Sequence, residues 1–244
     1  MAKSLASQAS LPHDLDAVRD GLLNATQSLL GSTIALDEDD WHRPSRLPGW
    51  TRAHVATHLA RGADALVDLI EGVRRGQSAP LYGDGLSRWE DIERGAQRSA
   101  LDIQTDLDAS AGRLLDEFSR LADLAGTPVI LWPGQPVRAD LVPLARLAEL
   151  ILHHLDLDCG FDSNQIGGAC ATWLLKWTTF WLAGDTRYPA VELVAASGTR
   201  ARIGSGHHRV KAVAADADLL CWLTGRAHPT SFGAQHLPVL PVYS

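Results

Sequence analysis

Residues 49–59 read GWTRAHVATHL, and residues 146–157 read RLAELILHHLDL. In the first stretch, Thr51 stands where a helix N-cap is favoured, ahead of a run with helical spacing. In the second, Glu149 and His153 lie among leucine and isoleucine residues. Polar side chains in so apolar a stripe are costly to bury unless they are paired or bind a metal. Both stretches therefore predict helices whose buried faces carry functional side chains.

Each stretch holds two candidate metal ligands four residues apart: His54 and His58, then Glu149 and His153. Residues at i and i+4 share a helix face, so either pair has the spacing to bind one ion. Helical bundles build metal sites from inward-facing side chains on neighbouring helices. Histidine with carboxylate suits zinc, nickel, manganese or iron, and three protein ligands leave the open position of a catalytic site. Spacing alone leaves open whether His54 is a further ligand.

Apolar periodicity predicts four long helices in the first two thirds of the chain. They cover about residues 13–30, 51–75, 87–124 and 141–159, with Ser87 as the N-cap of the third. A short hairpin is predicted over 126–140, where apolar residues flank a turn that contains proline and glycine. This pattern is typical of a four-helix core.

The last third changes character. A helix is predicted over 168–182, short strands over 191–194, 200–203 and 210–213, and a helix over 216–224. The predicted class is α+β, a four-helix bundle followed by a smaller α+β domain. The predicted boundaries are a disordered tail at 1–12, a metal-binding bundle at 13–162, and a linking helix with the small domain at 163–244.

Composition and charge argue against several classes of function. The formal net charge is -7 and no run of Lys and Arg occurs, which argues against a nucleic-acid surface. The three cysteines form no CxxC pair, so a reducing, cytoplasmic setting is expected. We expect no signal peptide and no membrane span, because the start and the interior lack a long apolar run. The expected partners are small molecules, and the oligomeric state is not readable from the sequence.

The two stretches together resemble the mycothiol-dependent maleylpyruvate isomerase family, and the resemblance extends from about residue 13 to Arg226. It implies a DinB-like metal-binding four-helix bundle and a smaller C-terminal domain. It also implies that the zinc ligands are His58, Glu149 and His153, that His54 is not a ligand and that His154 is structural. Leu223-Thr224-Gly225-Arg226 matches the place of an essential arginine in the family. Spacing alone makes Arg226 an ordinary cation at a helix C-terminus.

The resemblance also implies a reaction. The family converts maleylpyruvate, a cis-alkene diketo acid, into its trans isomer fumarylpyruvate, with mycothiol, the thiol of actinobacteria, as cofactor. A thiol activated by zinc adds to the alkene, and the thiolate leaves after rotation about the resulting single bond. Arg226 is then expected to hold a substrate carboxylate or the enolate oxygen.

Three other functions share these features. One is a mycothiol S-transferase that conjugates the thiol to an electrophile at the same metal site. Another is a non-catalytic, metal-stabilised binding protein, which a closed four-ligand site including His54 would favour. A metal-dependent hydrolase is also open, since a zinc site with a vacant position activates water.

Several further residues have a structural interpretation. Asp156 either supports a ligand histidine or is a helix-surface residue, and Arg146 either positions Glu149 or forms a simple salt bridge. His207 and His208 are expected in a solvated hairpin turn. Helical spacing places a tryptophan stripe in the core or at a domain interface, and the cysteines are expected as small buried hydrophobes rather than nucleophiles. The residues are Trp173, Trp177, Trp181, Cys159, Cys170 and Cys221.

Overall fold

A computed structural model gives the fold and describes residues 4–12, 14–77, 81, 85–132, 135–234 and 236–240. Its contacts divide the chain into two compact units. One holds His13–Phe161 with the segment that ends at Ala9, and the other holds Asp162 onward with Ser10–Pro12. The helical unit precedes the unit that contains the three-stranded sheet, so the predicted α+β class is confirmed.

The described residues of the first unit form six α-helices and one hairpin, together with short 3-10 helices. The helices are α1 (Leu15–Thr33), α2 (Glu38–His42), α3 (Arg52–Arg74), α4 (Gly85–Gly95), α5 (Ala100–Ser119) and α6 (Val142–Asp156). The hairpin pairs β1 (Pro128–Trp132) with β2 (Gln135–Arg138) in antiparallel fashion, within the range predicted for it.

Four of these helices, α1, α3, α5 and α6, contact one another as a bundle. Apolar side chains at helical spacing on each of them are buried, and this burial supplies most of the stabilisation. The largest of the fully buried side chains include Leu22, Leu29, Leu59, Ile70, Leu107, Leu114 and Phe118.

The predicted third helix over 87–124 is wrong in its extent. The chain instead forms α4 and then α5, and Ser99 caps the start of α5 by accepting a hydrogen bond from the Asp102 backbone N–H. Ser87, the predicted cap, lies inside α4. A serine cap satisfies one of the backbone donors that a new helix leaves unpaired, so the break at Ser99 is locally stabilised.

The disorder predicted for the tail at 1–12 is not found between Ala6 and Leu11. Residues Ala6–Ser10 form a 3-10 helix, and Leu11 is buried. Gln8 is fully buried, and its amide group is satisfied there, since it donates to the Pro136 carbonyl at 2.8 Å and accepts from the Arg138 backbone N–H at 3.0 Å. These long-range contacts order the segment, and no local sequence pattern indicates them.

The second unit contains α7 (Gly168–Leu182), α8 (Asp216–Leu223) and a three-stranded sheet. The strands are β3 (Pro189–Ala195), β4 (Arg200–Ile203) and β5 (Ser205–Ala214), in the order β4-β3-β5, with β3 antiparallel to β4 and parallel to β5. Apolar residues of the sheet and both helices form one core, which includes Leu175, Val191, Leu193, Ala212, Leu219 and Trp222.

The interpretation of Gly206-His207-His208 as a hairpin turn is wrong. The backbone there belongs to β5, which starts opposite Pro189 and, after a register shift, continues opposite Val191 at Val210. Gly204, whose φ is +65°, connects β4 to β5 and forms an isolated bridge with Ala183. A Cβ at Gly204 would lie 2.0 Å from the Pro189 carbonyl oxygen, so only glycine fits this approach.

Among the described residues, no helix combines the length and the apolar character that a bilayer crossing requires.

Candidate metal centre

Three side chains from two helices of the bundle converge on one point. His58 on α3 and Glu149 and His153 on α6 each offer a ligand atom, and these atoms all lie within 4.8 Å of one another. Their side chains are only 13%, 22% and 10% exposed, respectively. The described part of the chain contains no other such group of three histidine, cysteine or acidic residues. The structure therefore brings together the three residues that the family resemblance indicated.

The start of α3 explains why His54 stands apart from this group. Thr51 caps the helix by accepting from the His54 backbone N–H, and the His54 ring returns to the Thr51 backbone in a capping box. Its Nδ1 also lies 2.7 Å from the Thr51 hydroxyl, and its Nε2 lies 3.4 Å from Glu93 Oε2. Both ring nitrogens are thus occupied by other partners. This arrangement does not favour a closed four-ligand site.

Glu149 is held as a carboxylate by its surroundings. Burial tends to raise its pKa, but the attraction of Arg146 and the hydrogen bond with His58 outweigh burial, and the pKa lies well below its usual range. Arg146 is fully buried, donates to Glu149 Oε2 at 2.7 Å and donates to the Leu59 carbonyl at 2.9 Å. Arg146 therefore positions Glu149 and is more than a surface salt bridge.

The close approach of α3 to α6 at this point depends on Gly62. A Cβ at that position would lie 3.1 Å from Glu149 Oε1 and 3.3 Å from Arg146 Nη1. Contacts that short would force one of these side chains to shift. The sequence does not indicate this role of Gly62, because a glycine inside a helix has no recognisable packing signal of its own.

Asp156 determines which nitrogen His153 presents. The Asp156 side chain is buried and its Oδ2 accepts from His153 Nδ1 at 2.9 Å. That bond fixes the proton on Nδ1 and leaves the Nε2 lone pair for a metal. The alternative that Asp156 is a helix-surface residue is therefore wrong.

The His58 ring lies between polar and aromatic neighbours. Nε2 is 3.2 Å from Glu149 Oε1, and Nδ1 is 3.0 Å from Arg88 Nη2. The Trp50 ring lies 5.4 Å away and the His153 ring 4.7 Å away, centroid to centroid. Burial is the largest influence on the His58 ring and lowers its pKa, which keeps it neutral, as a metal ligand must be.

These donors suit a divalent cation. Two neutral imidazoles and one carboxylate match the donor set of catalytic zinc sites, and they leave at least one position for an exogenous ligand. The same set accepts nickel, manganese or iron, since no thiolate restricts the choice.

His154 points away from this centre and supports the bundle. Its ring stacks on Phe161 at 3.9 Å with an interplanar angle of 5°, and its Nε2 lies 2.9 Å from the Ser32 hydroxyl. Burial lowers its pKa to about 4 from a usual 6.5. These contacts agree with the structural role expected for it.

The lowered pKa of His154 predicts a loss of stability in acid. The unfolded chain binds the proton first, so stability is fully present above pH 6.5 and falls as the pH drops towards 4. We expect the metal-free protein to lose about 1–3 kcal/mol of unfolding free energy over this range through His154. Urea titrations at several pH values measure the slope. The slope of the unfolding free energy against pH should be smaller for His154→Gln, and it should be unchanged for the exposed-site control His42→Gln. Equal slopes for the wild type and both variants would show that His154 is not the group responsible.

Arg226 lies at the end of α8 in the second unit. Gly225 has a φ of +74°, and the backbone N–H groups of Gly225 and Arg226 donate to the carbonyls of Trp222 and Cys221. This is the Schellman pattern that ends a helix on glycine. The Arg226 guanidinium donates to the Thr224 carbonyl at 3.0 Å. Its catalytic role stays a prediction.

The expectation of buried cysteines is correct for Cys221 and wrong for Cys159 and Cys170, which are half-buried. Burial raises the pKa of Cys170 to about 12 and raises that of Cys159, so neither thiol is a ready nucleophile. Cys221 is fully buried, and Trp177 of the tryptophan stripe is buried.

The fold and the site together define a helical-bundle protein with a candidate three-residue metal centre. The chain belongs to the family whose model is described as the mycothiol maleylpyruvate isomerase N-terminal domain, which matches residues 22–158. The match spans the bundle from α1 to the end of α6, and it includes all three candidate ligands. The family predicted from the two helix stretches is confirmed.

Two solved structures are similar over nearly the whole chain. One is a crystal structure of the mycothiol-dependent maleylpyruvate isomerase, and the other is that of a histidine-to-alanine mutant. Each has a TM-score of 0.84 and 21% sequence identity, with 96% of this chain and 98% of the other covered. At this identity the likeness establishes the fold. No curated protein sequence matches the chain.

Proposed function

We propose that this protein is a metal- and mycothiol-dependent cis–trans isomerase that converts maleylpyruvate into fumarylpyruvate. The observation that carries the proposal is the convergence of His58, Glu149 and His153 within 4.8 Å, in a domain of the family that bears this activity in its name. The solved relatives of the same fold carry the name of the same enzyme.

The residues of this chain prepare the centre before any ligand arrives. Asp156 orients His153, Arg146 keeps Glu149 ionised and Trp50 packs beside His58. Such pre-organisation avoids reorganisation during the reaction. A bound divalent metal supplies the positive charge that lowers the pKa of a thiol from about 8.5 into the neutral range. The chemistry that mycothiol would supply is a thiolate nucleophile, whose reversible addition to the double bond would permit rotation without net consumption of the thiol.

Arg226 is proposed to hold a carboxylate of the substrate. A guanidinium presents a planar pair of N–H donors that matches a carboxylate, and it stays protonated at any relevant pH. The Schellman turn fixes the backbone of Arg226, and with it the position from which the side chain extends. Arg226→Lys would retain the charge and lose the paired donors.

The test measures bound metal and isomerisation on the same samples. Purified protein is analysed for zinc, nickel, manganese and iron, then assayed on maleylpyruvate with and without mycothiol, before and after chelation. We expect about one ion per chain and activity that needs both the ion and the thiol. His58→Ala should lose both the bound ion and the isomerase activity. His54→Ala, four residues earlier on α3, should retain the ion, although it loses part of the helix cap.

Other outcomes separate the alternatives. Stoichiometric loss of mycothiol with an electrophile, and no isomerisation, would identify a transferase. Turnover of an ester or amide without thiol would identify a hydrolase. A protein that binds no metal when supplied with each of the four ions would disprove the proposal at its base.

A further inference from the structure

Arg88 of α4 lies directly beside the candidate metal centre. Its Nη2 is 3.0 Å from His58 Nδ1, and the next residue, Trp89, is 48% exposed and packs on Trp50 with ring centroids 6.1 Å apart. No local sequence signal indicates a functional role for Arg88, because an arginine on an amphipathic helix ordinarily lies in solvent. Arg88 therefore places a cation against one of the three candidate ligands.

The contact between Arg88 and His58 is incompatible with metal binding by His58. A guanidinium only donates hydrogen bonds, so His58 Nδ1 accepts and the single ring proton is on Nε2, facing Glu149. A neutral imidazole offers a metal one lone pair. If His58 binds through Nδ1, the metal takes the atom that Arg88 uses. If His58 binds through Nε2, its proton moves to Nδ1, and this N–H then faces the N–H donor of Arg88.

The charges at the candidate metal centre indicate which kind of group replaces His58 as the partner of Arg88. Among the charged side chains with recorded contacts to the three ligands, Arg146 and Arg88 are cations and Asp156 is an anion; Glu149 itself is an anion. A divalent ion adds two positive charges to this largely buried site, which favours an anionic ligand.

We propose that Arg88 is a substrate-binding arginine controlled by the metal: the ion displaces it from His58, and its guanidinium then binds a carboxylate of a dicarboxylate at the open metal position. The inference rests on the proposed function in that an ion occupies the three ligands. It assigns a carboxylate partner within the bundle itself, in addition to the role proposed for Arg226.

The test uses zinc and then maleate as probes in isothermal titration calorimetry, with no turnover. The variants are Arg88→Met, Arg88→Lys and the control Arg94→Met, since Arg94 is 73% exposed and pairs only with Asp91 on the same helix among its recorded contacts. Removing the competing donor should tighten zinc binding of Arg88→Met by about tenfold. Its zinc-loaded form should bind maleate at least roughly tenfold more weakly than wild type. Arg94→Met should match wild type in both titrations.

Arg88→Lys retains the charge, so partial recovery of maleate binding supports a direct ionic contact and guards against misfolding of the methionine variant. The inference is overturned if Arg88→Met binds zinc no more tightly than Arg94→Met, or if it binds maleate as wild type does. Wild-type protein that binds no zinc overturns it together with the proposed function. Zinc and maleate binding as expected, with no isomerisation of maleylpyruvate, leaves this inference standing while the proposed function fails.

Discussion

Glu149→Gln is expected to abolish metal binding and, with it, isomerase activity. The change keeps the size of the side chain and an oxygen that can accept from Arg146, but it removes the only carboxylate of the three candidate ligands. Loss of a residue that merely supports a ligand costs about 10–100-fold in metal affinity, so loss of a charged ligand should exceed about 100-fold. Competition with a fluorescent zinc chelator measures the affinity, and the maleylpyruvate assay measures the activity.

The matched control is Glu93→Gln. Glu93 contacts His54 one helical turn from His58, and its side chain is 45% exposed. We expect this variant to bind zinc and to turn over substrate as wild type does. If Glu149→Gln retained zinc affinity within a factor of ten, Glu149 would not be a ligand, and the centre would have to be assigned differently.

Arg146→Met is expected to give the largest loss of stability among the single changes considered. The substitution leaves Glu149 without its strongest cationic partner and the Leu59 carbonyl without its donor. Removing one member of a buried ion pair typically costs about 3–5 kcal/mol, because the remaining charge is uncompensated. Urea unfolding of the metal-free protein at pH 7 measures the difference.

The same variant changes the response to acid. In the wild type the lowered pKa of Glu149 stabilises the folded state at neutral pH, and this contribution is lost as the pH falls below the usual glutamate range. Without Arg146 the pKa of Glu149 should rise, and the acid-dependent loss should shrink. Exposed Arg75, paired with Glu71 at 3.2 Å, is the control, and Arg75→Met should stay within about 0.5 kcal/mol. A loss below about 1 kcal/mol for Arg146→Met would contradict the pairing.

Helix ends show where local sequence sufficed and where it did not. Thr51 was recognised as an N-cap, and α7 begins and ends where the periodicity predicted. The break between α4 and α5 was missed, because the apolar spacing runs through Ser99 without interruption while the hydrogen bond that caps α5 involves only one side chain. Helix α2 was also missed: Asp37 caps five residues whose only buried side chain is Trp41.

The candidate metal centre was likewise only partly predictable from local sequence. The i and i+4 spacing identified both pairs of potential ligands, yet it left His54 and His58 equivalent. The capping box at Thr51 separates them, since it engages the His54 ring while His58 faces Glu149 on another helix. Arg88, Asp156 and Gly62 acquire their significance only through contacts across helices or through burial.

Local sequence is sufficient to predict the periodicity of the helices, the strand-rich last third, and the potential ligand types spaced one helical turn apart. These properties depend on residues within one or two helical turns, so local order is enough to encode them. Three features depend on the packing of distant segments: which histidine joins Glu149 and His153, how Arg146 keeps that carboxylate ionised, and the contact of Arg88 with His58. Those outcomes depend on distances between α3, α4 and α6 and on the burial of charge, which arise only when segments distant in the chain pack together.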